Sequence, residues 1–274
     1  MRKFLFFVFL SVFCSGAYAI EIADTFSPDD LDTSSSSGQM YGGGEVAVKE
    51  TAKVPHTLAN DTSDPLFMLA AQSVMSETDV RYYDEILRVG ETLSYGLNDR
   101  FTLQGNIHYQ FGFNHGGNGF SAFDLGAKYR MGIASDNSAG MVYDVLFGLK
   151  FGGSEQVRSP EYANSTYYAG LRFGKQWKGL SLAGTIKSNW IFSDERGMAY
   201  LNFVPEAYFR LNDEWRLGAG FDFLKSTSRH LLSDQEWMNF KLVHQFGWTQ
   251  YVGMLEYEFE EKQLLVGFKL NILF

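Results

Sequence analysis

Charged side chains at matching parity are the residues of this chain best able to act on a solute. Asp124, Lys128 and Arg130 share the parity of one stretch, Asp144 and Lys150 that of the next, and Arg172, Lys187, Glu206, Arg210 and Lys241 recur in later ones. On an extended chain, residues of one parity project from one face. Acids and bases facing each other across a polar space could orient a small charged or polarisable solute. The same charges could instead neutralise one another in salt bridges that hold the space shut. The candidate constriction residues are Asp124, Arg130, Lys150, Arg172, Arg210 and Glu256, with Glu258, Lys241 and Lys269 lining the same space. Glu256, Glu258 and Glu260 lie along one stretch opposite Lys241 and Lys269, the most uneven field in the set. Lys269 is the expected partner of Glu256 or Glu258.

Catalytic constellations are weak by comparison. His108 is followed by Tyr-Gln, His230 by Leu-Leu and His244 by Gln-Phe, so no His-x-Ser-Asn-Gly context for an activated serine exists. Asp234 and Glu236 near His230 suit a solvated loop better than an acid/His protease site. His115-Gly-Gly stands alone, and no His-Glu-x-x-His zinc motif occurs. Gly42-Gly43-Gly44 lacks the Lys-Ser/Thr of a phosphate loop. The single cysteine, Cys14, follows bulky Phe13 where a lipoprotein needs a small residue. No enzyme activity, cofactor, metal or nucleic-acid partner is expected.

The segments that must position the charges come after two others. Arg2 and Lys3, the apolar run Leu5 to Phe13 and Ala17-Tyr18-Ala19 form a secretory signal peptide over residues 1–19, too short to span a membrane. Its removal takes Cys14 and two of the 23 basic residues but none of the 32 acidic ones, so the mature chain is more acidic than the net −9 of the whole. Residues 20–64, with Asp29, Asp30, Asp32, Ser34 to Ser37 and the glycine run, bury too little to offset ordering entropy and read as a disordered acidic tail. The alternative is that the tail enters the following domain as a plug, through the apolar stretch Val46-Ala47-Val48.

Residues 65–274 form a series of alternating segments near 67–75, 86–97, 100–113, 120–132, 140–152, 166–176, 180–192, 198–211, 215–225, 236–247, 249–260 and 263–274. Segments of roughly ten residues suit tilted transmembrane strands. The reading is all-β: an antiparallel transmembrane β-barrel of about twelve strands. Asn98-Asp99 and Asn212-Asp213 mark tight hairpins in parallel contexts, where Asn and Asp tolerate positive φ. Longer links, 114–119, 153–165 and 226–235, alternate with them. Short periplasmic turns and long external loops follow that rule.

Two further patterns bear on the surroundings. Leu103, Ile107, Leu125, Ala127, Val145, Phe147, Leu149, Leu171, Phe173, Phe203, Ala207, Phe221, Phe240, Leu242, Leu255 and Phe268 share the face opposite the charges. Aromatics gather at both strand ends, Tyr95, Phe101, Trp177, Phe209, Trp215 and Trp248 at one, and Tyr109, Phe111, Trp190, Phe192, Phe223, Tyr257 and Phe259 at the other. A soluble sandwich could share the first pattern but has no reason for two aromatic girdles. Glu91 falls on the apolar face, which a bulge at Gly90 would correct. The last strand alternates Leu264, Val266, Phe268, Leu270, Ile272 and Phe274 with Gly267, Lys269 and Asn271. It resembles the closing strand of bacterial outer-membrane barrels, whose terminal aromatic is the assembly machinery's signal. Phe274, Ile272, Leu270 and Gly267 would carry that role here.

The run from Tyr95-Gly96-Leu97-Asn98-Asp99-Arg100 to Leu103, followed by Phe123-Asp124-Leu125-Gly126-Ala127-Lys128-Tyr129-Arg130, resembles the outer-membrane proteins grouped with meta-pathway phenol degradation. Asn98 stands where those proteins usually carry Thr, and the acidic tail has no counterpart. The resemblance implies a barrel that passes small, often aromatic or hydrophobic, compounds. The expected protein is therefore an integral barrel of the bacterial outer membrane, both termini periplasmic, in contact with lipid, the assembly machinery and a small solute. The alternatives are a non-conducting structural or adhesion barrel and, behind it, an outer-membrane enzyme.

Overall fold

The computed structural model describes residues 61–113, 117–132, 140–153, 165–177, 179–191, 199–226 and 234–274. The expected signal peptide, Val46-Ala47-Val48, Phe192 and His230 lie outside them. Twelve strands follow in order: β1 (Val74–Tyr83), β2 (Ile86–Asn98), β3 (Phe101–Gly112), β4 (Gly119–Gly132), β5 (Met141–Gly152), β6 (Thr166–Trp177), β7 (Leu180–Ile191), β8 (Ala199–Arg210), β9 (Trp215–Ser226), β10 (Gln235–Phe246), β11 (Thr249–Glu258) and β12 (Leu264–Leu273). Each pairs antiparallel with its sequence neighbours, and β1 pairs with β12, so the sheet closes into a barrel. Closure removes both sheet edges. At the seam, the Val74 and Phe274 amides donate to each other's carbonyls at 3.1 and 2.8 Å. The end where these two residues meet is the terminal end, and the opposite one the far end.

The pleat sorts the side chains as the parity argument requires. Leu103, Ile107, Leu125, Phe147, Leu171, Phe221, Phe240, Leu242, Leu255 and Phe268 are exposed on the outer face. Apart from Glu260, every charged residue assigned to the opposite face points into the barrel, and none of these is exposed. On β12, Leu264, Val266 and Phe268 are exposed, while Leu270 and Ile272 keep the outward parity but are buried. Trp177, Phe209, Trp215 and Trp248 are exposed near the terminal end. Near the far end, Tyr167 stacks on Trp190 at 5.0 Å and Tyr257 meets Phe259 edge-on at 5.4 Å.

Three local expectations are corrected. The first strand is Val74–Tyr83, not 67–75. Its outward positions include Ser76 and Thr78, so it lacks the apolar alternation that marks the other strands. Gly90 carries no bulge, because β2 stays in register with both neighbours there. Glu91 keeps its outward place and accepts hydrogen bonds from Ser76 Oγ at 2.6 Å and Thr78 Oγ1 at 2.7 Å. Gly90 serves another purpose: a Cβ on it would stand 2.0 Å from the His108 ring.

The Asn-Asp turns are the third correction. Neither has positive φ, which occurs in other connections, among them Asp84 and Glu85 in the β1–β2 hairpin. The asparagines act through their side chains: Asn98 Oδ1 accepts from the Arg100 amide at 2.9 Å, and Asn212 Oδ1 from those of Glu214 and Trp215 at 2.9 and 2.8 Å. Such Asx bonds fix a turn without a left-handed residue. The alternation of connection lengths has one exception at each end, the Asp84–Glu85 turn at the far end and residues 133–140 at the terminal end.

Folded protein kept unboiled in detergent should migrate differently from a boiled sample on a gel, and identical migration would contradict the closed barrel. Leu171→Arg, which puts a charge midway along the outer face of β6, should lower stability in a bilayer by about 2–4 kcal/mol in a denaturant titration.

Candidate functional site: the barrel lumen and its insert

The described residues before β1 do not run along the outside. Residues 61–73 lie within the terminal half of the barrel, and their sequence accounts for the local path. The Asp64 amide donates to the Asp61 carbonyl at 3.1 Å, the Phe67 amide to the Asp64 carbonyl at 2.9 Å, and the Leu66 amide to Asp64 Oδ1 at 2.7 Å. These bonds fold Asp-Thr-Ser-Asp-Pro into a compact turn, as Asp and Pro favour. At the exit, Gln72 takes a φ of 64°, its amide bonds the Gly96 carbonyl at 2.7 Å, and the Gly96 amide bonds the Ser73 carbonyl at 2.9 Å. The insert passes so close to β2 that a Cβ on Gly96 would stand 2.0 Å from the Ala70 carbonyl oxygen. The Ala71 amide donates to Asp99 Oδ1 at 3.0 Å, tying the insert to the β2–β3 turn.

Polar anchors hold its first half. The Asp61 carboxylate is 3 % exposed. It accepts from Tyr208 Oη at 2.7 Å, Gln250 Nε2 at 2.8 Å and Arg216 Nε at 2.9 Å. Thr62 Oγ1 donates to Gln250 Oε1 at 2.7 Å, and Asn271 Nδ2 donates to Thr62 Oγ1 at 3.1 Å. Asp64 accepts from Gln176 Nε2 at 3.1 Å and from Ser181 Oγ. Burial pushes the Asp64 carboxyl above its ordinary value, against the pull of Ser181, the Leu66 amide and Gln176. Apolar contacts hold the second half: Leu66 packs with Val142 and Ala183, while Phe67 and Leu69 pack with Leu273 and Met75.

Above the insert sits a second carboxylate. Asp144 on β5 is fully buried and bound by two arginines from neighbouring strands. Arg130 reaches it with Nε at 2.8 Å and a terminal nitrogen at 3.2 Å, and Arg172 with Nε at 2.9 Å and a closer terminal nitrogen. Both arginines also turn to the insert. Arg130 donates to the Leu66 carbonyl at 2.6 Å and Arg172 to the Phe67 carbonyl at 3.3 Å, which Lys128 Nζ also binds at 2.7 Å. The β4–β5–β6 register, with Arg130 opposite Asp144 and Asp144 opposite Arg172, makes this triad.

Of the residues singled out from the sequence, Arg130 and Arg172 thus meet at one place. Asp124 and Lys150 face each other in register nearer the far end. Lys241 binds Glu206 at 2.8 Å. Arg210 does not join the constriction: it lies at the terminal rim, bound to Asp213 at 2.7 Å. Lys269 pairs with Glu77 on β1 at 2.6 Å rather than with Glu256 or Glu258, and Glu256 meets Arg81 at 3.4 Å. The displaced first strand brings in both Glu77 and Arg81. Glu258 is buried and accepts from the Glu261 amide, whereas Glu260 lies past the end of β11 and is exposed. Asp61, Asp64, Tyr208, Gln250 and the lumen role of Lys128 toward the insert were missed. Two acids flanking Thr-Ser ahead of Pro65 were the only available signal.

Two cavities occupy the described lumen. One of about 310 Å³ lies against the insert, lined by Phe67, Lys128, Tyr168, Arg172 and Lys187 among others. Another of about 560 Å³ opens toward the far end, lined by Arg81, Arg88, Asp222, Glu256 and Glu258 among others. Glu206, Lys241 and Lys269 line both. The smaller has five lysines and arginines against three acids, and the larger four against six. Electrostatic sign therefore reverses along the lumen.

A closed antiparallel barrel of twelve strands with an apolar outside and a charged inside is the architecture of outer-membrane porins and channels. The chain is similar in fold to an outer membrane channel from Pseudomonas putida F1, with a TM-score of 0.58 at 11% identity over 75% of this chain and 97% of that one. It is also similar to the KdgM porin (TM-score 0.55, 15% identity, 72% and 98% covered) and to the NanC porin (0.54, 8%, 73% and 98%). No family model and no curated protein matches the sequence.

Asp61→Ala would leave the Arg216 guanidinium buried without its carboxylate, which costs about 3–5 kcal/mol for a buried pair. Limited proteolysis of the folded barrel should then cut within residues 61–73 much faster than in the parent, while the barrel itself stays resistant.

Proposed function

We propose that this protein is an outer-membrane channel for small solutes, with residues 61–73 as a plug in the half of its lumen that faces the periplasm. The observation that carries this reading is the way the insert is held. It adds no strand to the sheet, and side chains and a few backbone bonds fix it, so its departure would leave the closed barrel intact. Beyond it lie two polar cavities in series that share lining residues. The fold shared with porins and channels supports the reading, as do the signal peptide and the apolar outer belt. The signal peptide and the even number of strands favour both termini on the periplasmic side. The β12 strand, with Gly267, Leu270, Ile272 and Phe274, would then serve as the assembly signal.

Arg130, Arg172 and Lys241 with Glu206 line the narrow part. Lys150 and Asp124, Lys269, Glu256 and Glu258 line the lumen toward the outside. The resemblance to the meta-pathway phenol-degradation proteins adds small aromatic or hydrophobic compounds as the solute class. A non-catalytic role fits the described histidines: His244 packs at a tilt against Trp215, 4.5 Å between ring centroids, on the outer face, and His108 fills the space that Gly90 leaves.

A non-conducting structural barrel is the second reading, favoured by the buried Asp61–Arg216 and Asp144–Arg130–Arg172 groups, which close the lumen as salt bridges would. Conductance in planar bilayers separates the two. The mature chain should give small or rare steps, and a variant lacking residues 20–72 larger and frequent ones. No steps from either protein would end the channel proposal and leave the structural one.

A further inference from the structure

The insert's Leu66 and Phe67 carbonyls are neutral, yet the side chains that hold them are a lysine and two arginines. Arg130 and Arg172 bring two positive charges to one region of the wall against the one negative charge of Asp144, which they share, and Lys128 Nζ is a third donor there. Their remaining hydrogen bonds go to the neutral carbonyl oxygens of Leu66 and Phe67. A hydrogen bond from a cation to an anion is roughly twice as strong as one between neutral groups. A carboxylate offered to these donors would therefore bind them better than the peptide carbonyls do, provided it can reach them. The cavity of about 310 Å³ against Phe67 gives that access, since Lys128 and Arg172 also line it. Its wall adds apolar surface from Leu146, Val252 and Leu69, with the Tyr168 ring beside Lys187 at 5.6 Å.

We infer that Lys128, Arg130 and Arg172 form a binding site for a small carboxylate with an apolar body, whose occupancy displaces the carbonyls of Leu66 and Phe67 and so releases the insert. The site rests on the channel reading for its purpose but not for its chemistry. An uncharged molecule of the same shape gains only the apolar contacts, and a cation is repelled by the same excess charge. Ligand and insert compete for the same donors, so the ligand favours the released state by mass action: at ten times its dissociation constant for that state, the ratio of released to docked insert rises about elevenfold.

The test uses the mature chain from Ile20, which lacks Cys14, carrying Leu69→Cys as a reporter. Leu69 is buried by the docked insert, so labelling by a small maleimide reports release. Sodium benzoate should speed labelling saturably at constant ionic strength, while benzylamine and benzyl alcohol at equal concentration should not. Lys128→Gln should raise basal labelling and shrink the benzoate response, and Lys128→Arg should restore it. No benzoate effect, or an equal effect of all three compounds, overturns the site. A purely structural role for Lys128 predicts that the glutamine variant changes basal labelling only, with the benzoate response intact, and that result also overturns it. If the truncated barrel conducts while benzoate fails to release the insert, the site falls and the channel stands. If benzoate releases the insert and no variant conducts, the channel falls and the site stands.

Discussion

Inside a hydrocarbon layer no water can satisfy a peptide group, so a sheet that crosses it must have no edge. Everything else in this barrel depends on the seam that meets this requirement. β1 closes the ring against β12 although two of its outward positions, Ser76 and Thr78, are poor lipid-facing residues. Glu91 on β2 accepts from both hydroxyls, so three polar groups on the outer face satisfy one another. With β1 committed to the wall as far as Val74, the residues before it cannot also be wall. The turn at Gln72 and Gly96 sends them inward, and the lumen receives an insert.

The insert meets a lumen that is mixed rather than uniformly polar. Apolar side chains of Leu66, Phe67 and Leu69 find Val142, Ala183 and Leu273 on inward positions near the terminal end, while the far half keeps its charges. Two buried carboxylates organise the junction. Asp61 belongs to the insert and takes an arginine from the wall, and Asp144 belongs to the wall and takes two arginines that then reach the insert. Buried ion pairs carry a large desolvation cost and repay it only when their other valences are filled. Here the insert's carbonyls and the hydroxyl and amide groups of Tyr208 and Gln250 fill them. The same contacts that hold the insert thus complete the lumen wall.

Legibility followed locality. The parity of Leu171 and Arg172, or of Leu149 and Lys150, states which face each will occupy, because the pleat is a property of neighbouring residues. The Asn-Asp turns were recognisable in place, though their bonding proved to be through Asn98 and Asn212 side chains. The stretch 67–75 was legible as apolar but not as an insert, since an apolar run of that length serves a strand or a packed segment equally. β1 was hidden for the converse reason, its outward polar groups being satisfied only by a residue on another strand. Once β1 was misplaced, Glu77 and Arg81 were absent from the lumen, and Lys269 and Glu256 were assigned to each other.

Residue order by itself determined the strand count, the division of apolar and charged faces and the two aromatic belts, because period two and side-chain polarity are written into short segments. It also placed Arg130, Arg172 and Asp144 on one face. Only the tertiary structure decided that these three meet, since that depends on the β4–β5–β6 register. It alone decided that Arg210 lies at the rim and that Asp61 lies within the barrel, bound to Arg216, Tyr208 and Gln250. Those contacts join residues up to 189 positions apart, and closure of the ring, not any local preference, brings them together.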